Sequence, residues 1–195
     1  MVTTKYIKSC VESCSVIEFI SYWIQFYNEG KYPETVYEEN LKKGGILEEN
    51  NIIPLLEWKR GNPLPKTQKQ IAIKVIRSLQ RFNEFRLLKP RRDEDFEEFW
   101  NLISTIIKKG LVWKAFLLHI ARPDDYPMVD QHVLRAYYFL IHEKVAEPEQ
   151  SLETYLAYRE AFHNITIESR KTAREVDKAL MAFGRFLKAP FVRID

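Results

Sequence analysis

The sequence predicts an all-α fold, and three observations lead there. Apolar residues recur at spacings of three and four along most of the chain, which gathers them on one face of a helix. Six glycines in 195 residues are too few for the tight turns that a chain of short strands needs at close intervals. The composition, 46% hydrophobic, 29% charged and 13% aromatic, is that of a packed chain and not of a disordered one. No linker-like stretch or internal repeat divides the sequence. Residues 1–195 therefore read as a single all-α domain, long enough to bury its own core.

The elements follow in order. Val16, Ile20, Trp23, Ile24 and Tyr27 form the stripe of a first helix, which Gly30 and Pro33 close before a second begins. Gly44 and Gly45 mark a loop. Residues 50 to 60, with Leu55, Leu56 and Trp58, form a short helix that Gly61-Asn62-Pro63 stops. From Thr67 the positions Ala72, Val75, Ile76, Leu79 and Phe82 predict one amphipathic helix running toward Pro90, with Lys74, Arg77 and Arg81 on its other face. Asp93 is the expected N-cap of a helix buried through Phe96, Phe99, Trp100, Ile103 and Ile107 and ended by Gly110. The next stretch, LVWKAFLLHIA from Leu111 to Ala121, has only Lys114 and His119 as polar members, so it is expected to be buried on nearly every side. Pro123 and Pro127 bound a loop, and Asp130 caps a helix running to about His142. Ser151 starts another helix. Thr166 starts the last, with Ala173, Val176, Ala179, Leu180, Phe183 and Leu187 along its buried side. The one late strand candidate is Phe191 to Ile194.

Composition also narrows the function classes. A net charge of +3, from 30 basic and 27 acidic residues, permits a nucleic-acid partner without demanding one. Cys10 and Cys14, four apart, would share a helical face and close no disulfide loop. With His119, His142 and His163 they show no zinc-site spacing, so neither a metal nor another cofactor is expected. Glu12 and Glu18 interrupt the apolar N-terminal stretch, which argues against a signal peptide, and no window reaches the roughly 18 apolar residues of a membrane span. The expected compartment is the cytoplasm, with no membrane partner.

Two residues carry candidate chemistry. Lys114 has Leu111, Leu117 and Leu118 at helical spacings of three and four; burial there favours the neutral amine, which is a nucleophile. The alternative is a lysine that lays its stem along the core and holds its ammonium in water. Asp130, at the start of a strongly helical run, is explained by capping alone. An aspartate held by a helix N-terminus also stays ionised and fixed in orientation, so capping and chemistry are compatible.

In the segment IKKGLVWKAFLLHIARPDDYPMVDQHVLRAYYF, Gly110-Leu111-Val112-Trp113-Lys114 is followed by Asp130-Gln131-His132-Val133-Leu134-Arg135. This resembles the helix-hairpin-helix DNA glycosylase superfamily of endonuclease III-like and 8-oxoguanine-type enzymes, whose pattern is G-x-G-x-K and then D-x-H-[VI]-x-R. The second motif matches at every specified position. The first keeps its first glycine and its lysine, with Val112 at the second glycine. The Lys114-to-Asp130 interval is shorter than is usual in the family, and its four-cysteine cluster is absent.

The resemblance implies a multi-helix domain with a cleft between two helical subdomains, and residues 94–142 as the hairpin-containing catalytic segment. It implies a base-excision repair enzyme acting on double-stranded DNA with a damaged base, either monofunctional or a glycosylase and lyase. Lys114 would attack the anomeric carbon and Asp130 would stabilise the developing charge or help deprotonate the amine. Gly110, with the following amides and with Lys108 and Lys109, would bind a phosphate. Arg135 would touch phosphate or pair with a local acid. Trp113, Phe116, Tyr137 and Tyr138 fit a base pocket or, more plainly, the core, and His132 fits a hydrogen-bonded structural role. The basic residues of the last helix and of the stretch 86–92 read as solvated faces that widen a DNA footprint. Two other classes stay open: a DNA-binding module without turnover, and a protein-interaction module on the same fold.

Overall fold

The computed structural model describes residues 2–3, 11–30, 32–42, 45–88, 93–146, 149–188 and 192–193. It is almost wholly helical, as the apolar spacing predicts: ten α-helices occur among the described residues. To these a short parallel pairing adds β1 (Val2–Thr3) and β2 (Val192–Arg193), the latter inside the expected strand segment. Two compact units share the chain: a terminal unit of Met1–Tyr27 with Pro127–Asp195, and a central unit of Asn28–Tyr126. The two junctions fall in loops that the sequence marks with Gly30 and with Pro127.

In the terminal unit α1 (Val16–Trp23) starts at Ser15, whose hydroxyl accepts from the Glu18 amide while the Glu18 carboxylate accepts from the Ser15 amide. Its last expected turn is a tighter 3-10 turn, Ile24–Phe26. Then come α8 (Gln131–His142), α9 (Leu152–Ser169) and α10 (Ala173–Leu187). Ser151 caps α9. Thr172 and Glu175 form a reciprocal capping pair on α10, which sets its start later than the expected Thr166, a residue that lies inside α9. Helix α10 is the spine of the unit. Val176, Ala179, Leu180 and Phe183 are fully buried along it, and Phe183 meets Phe19, Trp23 and Phe139 at ring-centroid separations of 5.0, 5.0 and 5.6 Å.

The central unit holds α2 (Glu34–Leu41), α3 (Glu49–Arg60), α4 (Lys66–Arg77), α5 (Leu79–Leu87), α6 (Asp93–Ile106) and α7 (Leu111–Ala121). Gly61 ends α3 in the left-handed region, at φ 71°, with its amide donating to the Glu57 and Trp58 carbonyls. The single helix expected from Thr67 onward is instead two. Ser78, at φ −101° and ψ 7°, leaves helical geometry between α4 and α5, and both pieces keep their buried residues, Ala72 and Val75 before the break and Phe82 and Phe85 after it. Helix α7 is the buried element that its composition predicts: Leu111 and every residue from Ala115 to Ala121 are buried. The Asp93 side chain, Cys10, Gly44 and residues 89–92 of the basic stretch lie outside the described residues. Cys14 is exposed in the bend before α1, not on a helical face.

Candidate functional site

Helices α6 and α7 of the central unit are joined by Ile107, Lys108, Lys109 and Gly110 alone. Ile106 and Ile107 are buried and anchor the turn, with the Ile107 amide still donating to the Ile103 carbonyl. The next three residues are exposed. Gly110 sits at φ 101°, where only glycine is at ease, and a Cβ there would meet nothing within 4 Å; backbone conformation, not crowding, demands the glycine. It follows that α7 begins on a residue with no side chain to cap it, and its ladder opens with the Lys114 amide donating to the Gly110 carbonyl at 3.3 Å. The first-turn amides thus have no side-chain cap and follow two exposed lysines. Val112, at the family's second glycine, is half-buried.

Lys114 lies one turn into α7. It is half-buried, not buried as the surrounding leucines suggest, because it reaches back across the helix pair toward α6. Its Nζ donates to Ser104 Oγ at 3.0 Å and lies 5.0 Å from the centroid of the Trp100 ring. Both contacts come from α6, so the amine is engaged by the facing helix of the hairpin.

Asp130 belongs to the terminal unit and is the N-cap of α8. Its Oδ1 accepts from the His132 and Val133 amides at 2.7 and 2.8 Å, while Oδ2 takes no hydrogen bond among the described residues. The approach to it is fixed from behind. Tyr155 and Tyr158, both buried on α9, donate their hydroxyls to the Pro127 and Met128 carbonyls at 3.2 Å each, and Val129 is fully buried. Burial, reinforced by Asp177 nearby, pushes the Tyr158 phenol well above its usual range, so it stays a donor. On the far side, Gly184 of α10 sits under the first turn of α8, where a Cβ would fall 1.8 Å from the His132 carbonyl oxygen. No side chain fits there. Two helices meet backbone to backbone two residues after the cap.

Arg135 is buried, which corrects the expected contact with a phosphate; its guanidinium donates to the Gly184 carbonyl at 3.1 Å, with His132 Nδ1 3.2 Å away. It ties α8 to α10 and presents nothing to solvent. His132 has the structural place expected of it; burial, with the nearby cations Arg135, Arg185 and Lys188, lowers its pKa despite Asp130. Phe116 and Tyr137 are core residues, while Trp113 is half-buried with its ring edge-on to Phe116. Tyr138 and Tyr137 line a groove of about 520 Å³ with His142, Glu149 and Glu153.

The structure thus gathers Lys108, Lys109, Gly110 and Lys114 on one hairpin, and Asp130, His132 and Arg135 on one helix start in the other unit. Sequence reasoning missed what holds them: Gly184, Tyr155, Tyr158 and, in the central unit, two polar anchors, one buried and one half-buried. His119 Nδ1 donates to the Tyr126 carbonyl at 2.8 Å, and its Nε2 is hydrogen-bonded to the Tyr37 hydroxyl at 2.6 Å. Arg86 donates to the carbonyls of Ile120, Leu41 and Lys42, closing the ends of α7 and α2, and desolvation lowers its pKa. A histidine in an otherwise apolar helix was the one available signal. Among the described residues no three of His, Cys, Asp and Glu gather where a metal ion would need them, and no helix is long and apolar enough to cross a membrane. The chain matches no protein-family model, no curated protein and no solved structure.

Proposed function

We propose that the protein is a helix-hairpin-helix DNA glycosylase-like repair protein. The observation that carries the reading is the α6–α7 hairpin: a four-residue turn closed by a positive-φ glycine, two exposed lysines, an uncapped helix start and a lysine one turn further on. Uncapped amides and flanking cations suit a DNA phosphate. In the chemistry that follows, the Lys114 amine attacks the anomeric carbon of a flipped nucleotide and the carbon–nitrogen bond to the base breaks. The base leaves with its bonding electrons and takes up a proton, and loss of the amine proton with ring opening gives an imine. Asp130 suits the companion role, since one carboxylate oxygen is held by backbone amides and the other carries no hydrogen bond among the described residues.

A second reading is a DNA-binding module without lyase chemistry. It is favoured by the contacts of Lys114 with Ser104 and Trp100, which engage the amine with groups of α6. Borohydride trapping on duplexes carrying an abasic site, 8-oxoguanine or an oxidised pyrimidine separates the two. The enzyme reading expects a covalent adduct that Lys114→Ala abolishes. Duplex binding with neither adduct nor base release selects the binding module; no duplex binding discards both.

A further inference from the structure

We infer that the exposed face of α4 is a second duplex-backbone surface of the central unit, taking phosphates through Lys66, Lys69, Lys74 and Arg77; this rests on the DNA-binding reading above and extends it to a helix outside the matched motifs. Helix α4 reads KTQKQIAIKVIR, with four cations and no acid. All four are exposed, and none makes an ion pair or side-chain hydrogen bond among the described residues. Several cations elsewhere are paired, although Lys108, Lys109, Lys144 and Lys188 are exposed without an ion pair among the described residues as well. Arg81 meets Glu84 and Glu98, Lys42 meets Glu48, Arg122 meets Asp125, Lys171 meets Glu175, and Arg174 meets Asp177.

Half of the placement is not one that stability selects. Lys74 and Arg77 stand in the last turn, where the dipole favours positive charge, but Lys66 and Lys69 stand in the first, where it disfavours it. At 100° per residue the four cations fall within an arc of ~140°, opposite Ala72 and Val75, and they extend over ~16 Å of helix axis. A duplex offers one negative charge per ~1.7 Å of its own axis, so a stripe of that length faces several phosphates at once. An anionic membrane is the other surface a basic amphipathic helix suits, but it requires an apolar face free to insert. Here Ala72 and Val75 are 1% and 0% exposed, committed to the core of the unit.

The test uses the full chain, a variant with Lys66→Gln, Lys69→Gln, Lys74→Gln and Arg77→Gln together, and a hairpin variant with Lys108→Gln and Lys109→Gln. Circular dichroism checks that each is folded. Duplex affinity is measured against salt, since each phosphate that the protein no longer neutralises lowers the slope of log K on log salt by about 0.9. The α4 variant is expected to lose ~3 to 4 in slope and at least tenfold in affinity at low salt. An unchanged slope in the α4 variant, with a drop in the hairpin variant, overturns this inference and leaves the DNA reading standing. A drop in the α4 variant alone supports the inference while removing the hairpin from the reading. No duplex binding by the unaltered chain overturns both. Co-sedimentation with phosphatidylserine vesicles, abolished in the α4 variant and accompanied by no duplex binding, replaces the duplex by a lipid surface.

Discussion

Asp130 and Lys114, the two residues on which the proposed chemistry depends, are held in opposite ways. Asp130 is fixed on every side: two amides take one of its oxygens, two buried tyrosines pin the chain before it, and a glycine admits a neighbouring helix to the turn after it. Lys114 is held by a single hydroxyl and a ring face at the end of a flexible stem. The difference is informative about motifs. Every specified position of D-x-H-V-x-R has a packing reason here: Asp130 caps, the His132 ring meets the Arg135 guanidinium, Val133 is buried, and Arg135 closes onto the Gly184 carbonyl. The pattern thus describes a helix junction, whatever else it does. The looser G-x-x-x-K match has one conformational reason, at Gly110, and otherwise leaves its residues exposed or half-buried, Leu111 apart.

Breaking the junction should give the largest effect. Gly184→Ala puts a methyl group 1.8 Å from the His132 carbonyl, so α10 and α8 must separate. The expected cost is about 3 kcal/mol, the upper end for overpacking. Urea unfolding measures it, and a destabilisation under about 1 kcal/mol would mean that the two backbones do not touch. Next is Arg135→Met, which keeps the bulk of the side chain and strands a buried carbonyl at a cost of ~1 to 3 kcal/mol. Because Arg135 is buried, the same variant should leave the salt slope of duplex binding unchanged; a lower slope would restore the phosphate role. Asp130→Ala should cost about 1 kcal/mol through the missing cap, while Asp130→Asn keeps the cap and its stability. If Asp130 does chemistry, the asparagine variant loses base release at native stability. Equal activity in the two proteins would leave capping as its whole role.

The junction also has a pH signature. Folding lowers the His132 pKa below its ordinary 6.5, so the unfolded chain holds the proton more tightly. Between the folded and unfolded values the unfolded state binds more protons, and stability rises with pH. The contribution is therefore complete above 6.5 and is lost as pH falls through that window. His132→Gln should flatten this part of the stability curve. An unchanged curve would assign the acid sensitivity to other groups.

How much of this was legible depended on the range of the interaction. Caps are local, and Ser15 with Glu18 or Asp130 with its two amides could be read from neighbouring residues. The break at Ser78 could not be, because a one-residue departure leaves the apolar stripe in phase, with Val75 before it and Phe82 after it both buried. Gly184 lies mid-helix, where a glycine reads as a weak helix former. Its purpose exists only in the approach of a carbonyl 52 positions away in sequence. The His119 partner, Tyr37, is likewise 82 residues distant. Burial of Lys114 was overestimated because composition ranks the neighbours on α7 but says nothing of Ser104 and Trp100 on the facing helix.

The smallest expected effect on stability is also the one that best separates the two regions. Lys114→Ala removes a hydroxyl partner and a ring partner from a half-buried cation, and such interactions contribute about 0.5 to 1 kcal/mol. Unfolding should therefore differ little from the parent, unlike Gly184→Ala. Trp100→Leu sharpens the point, since it removes the ring against which the amine rests while leaving an apolar side chain in place. If Lys114 is the nucleophile, Trp100→Leu should change the rate of imine trapping, because the ring helps to position the amine. If Lys114 only binds, the same substitution should leave trapping absent and duplex affinity nearly unchanged. A large drop in stability in Lys114→Ala would instead show the lysine to be a packing element of the α6–α7 pair, with the hairpin's cations left to bind without it.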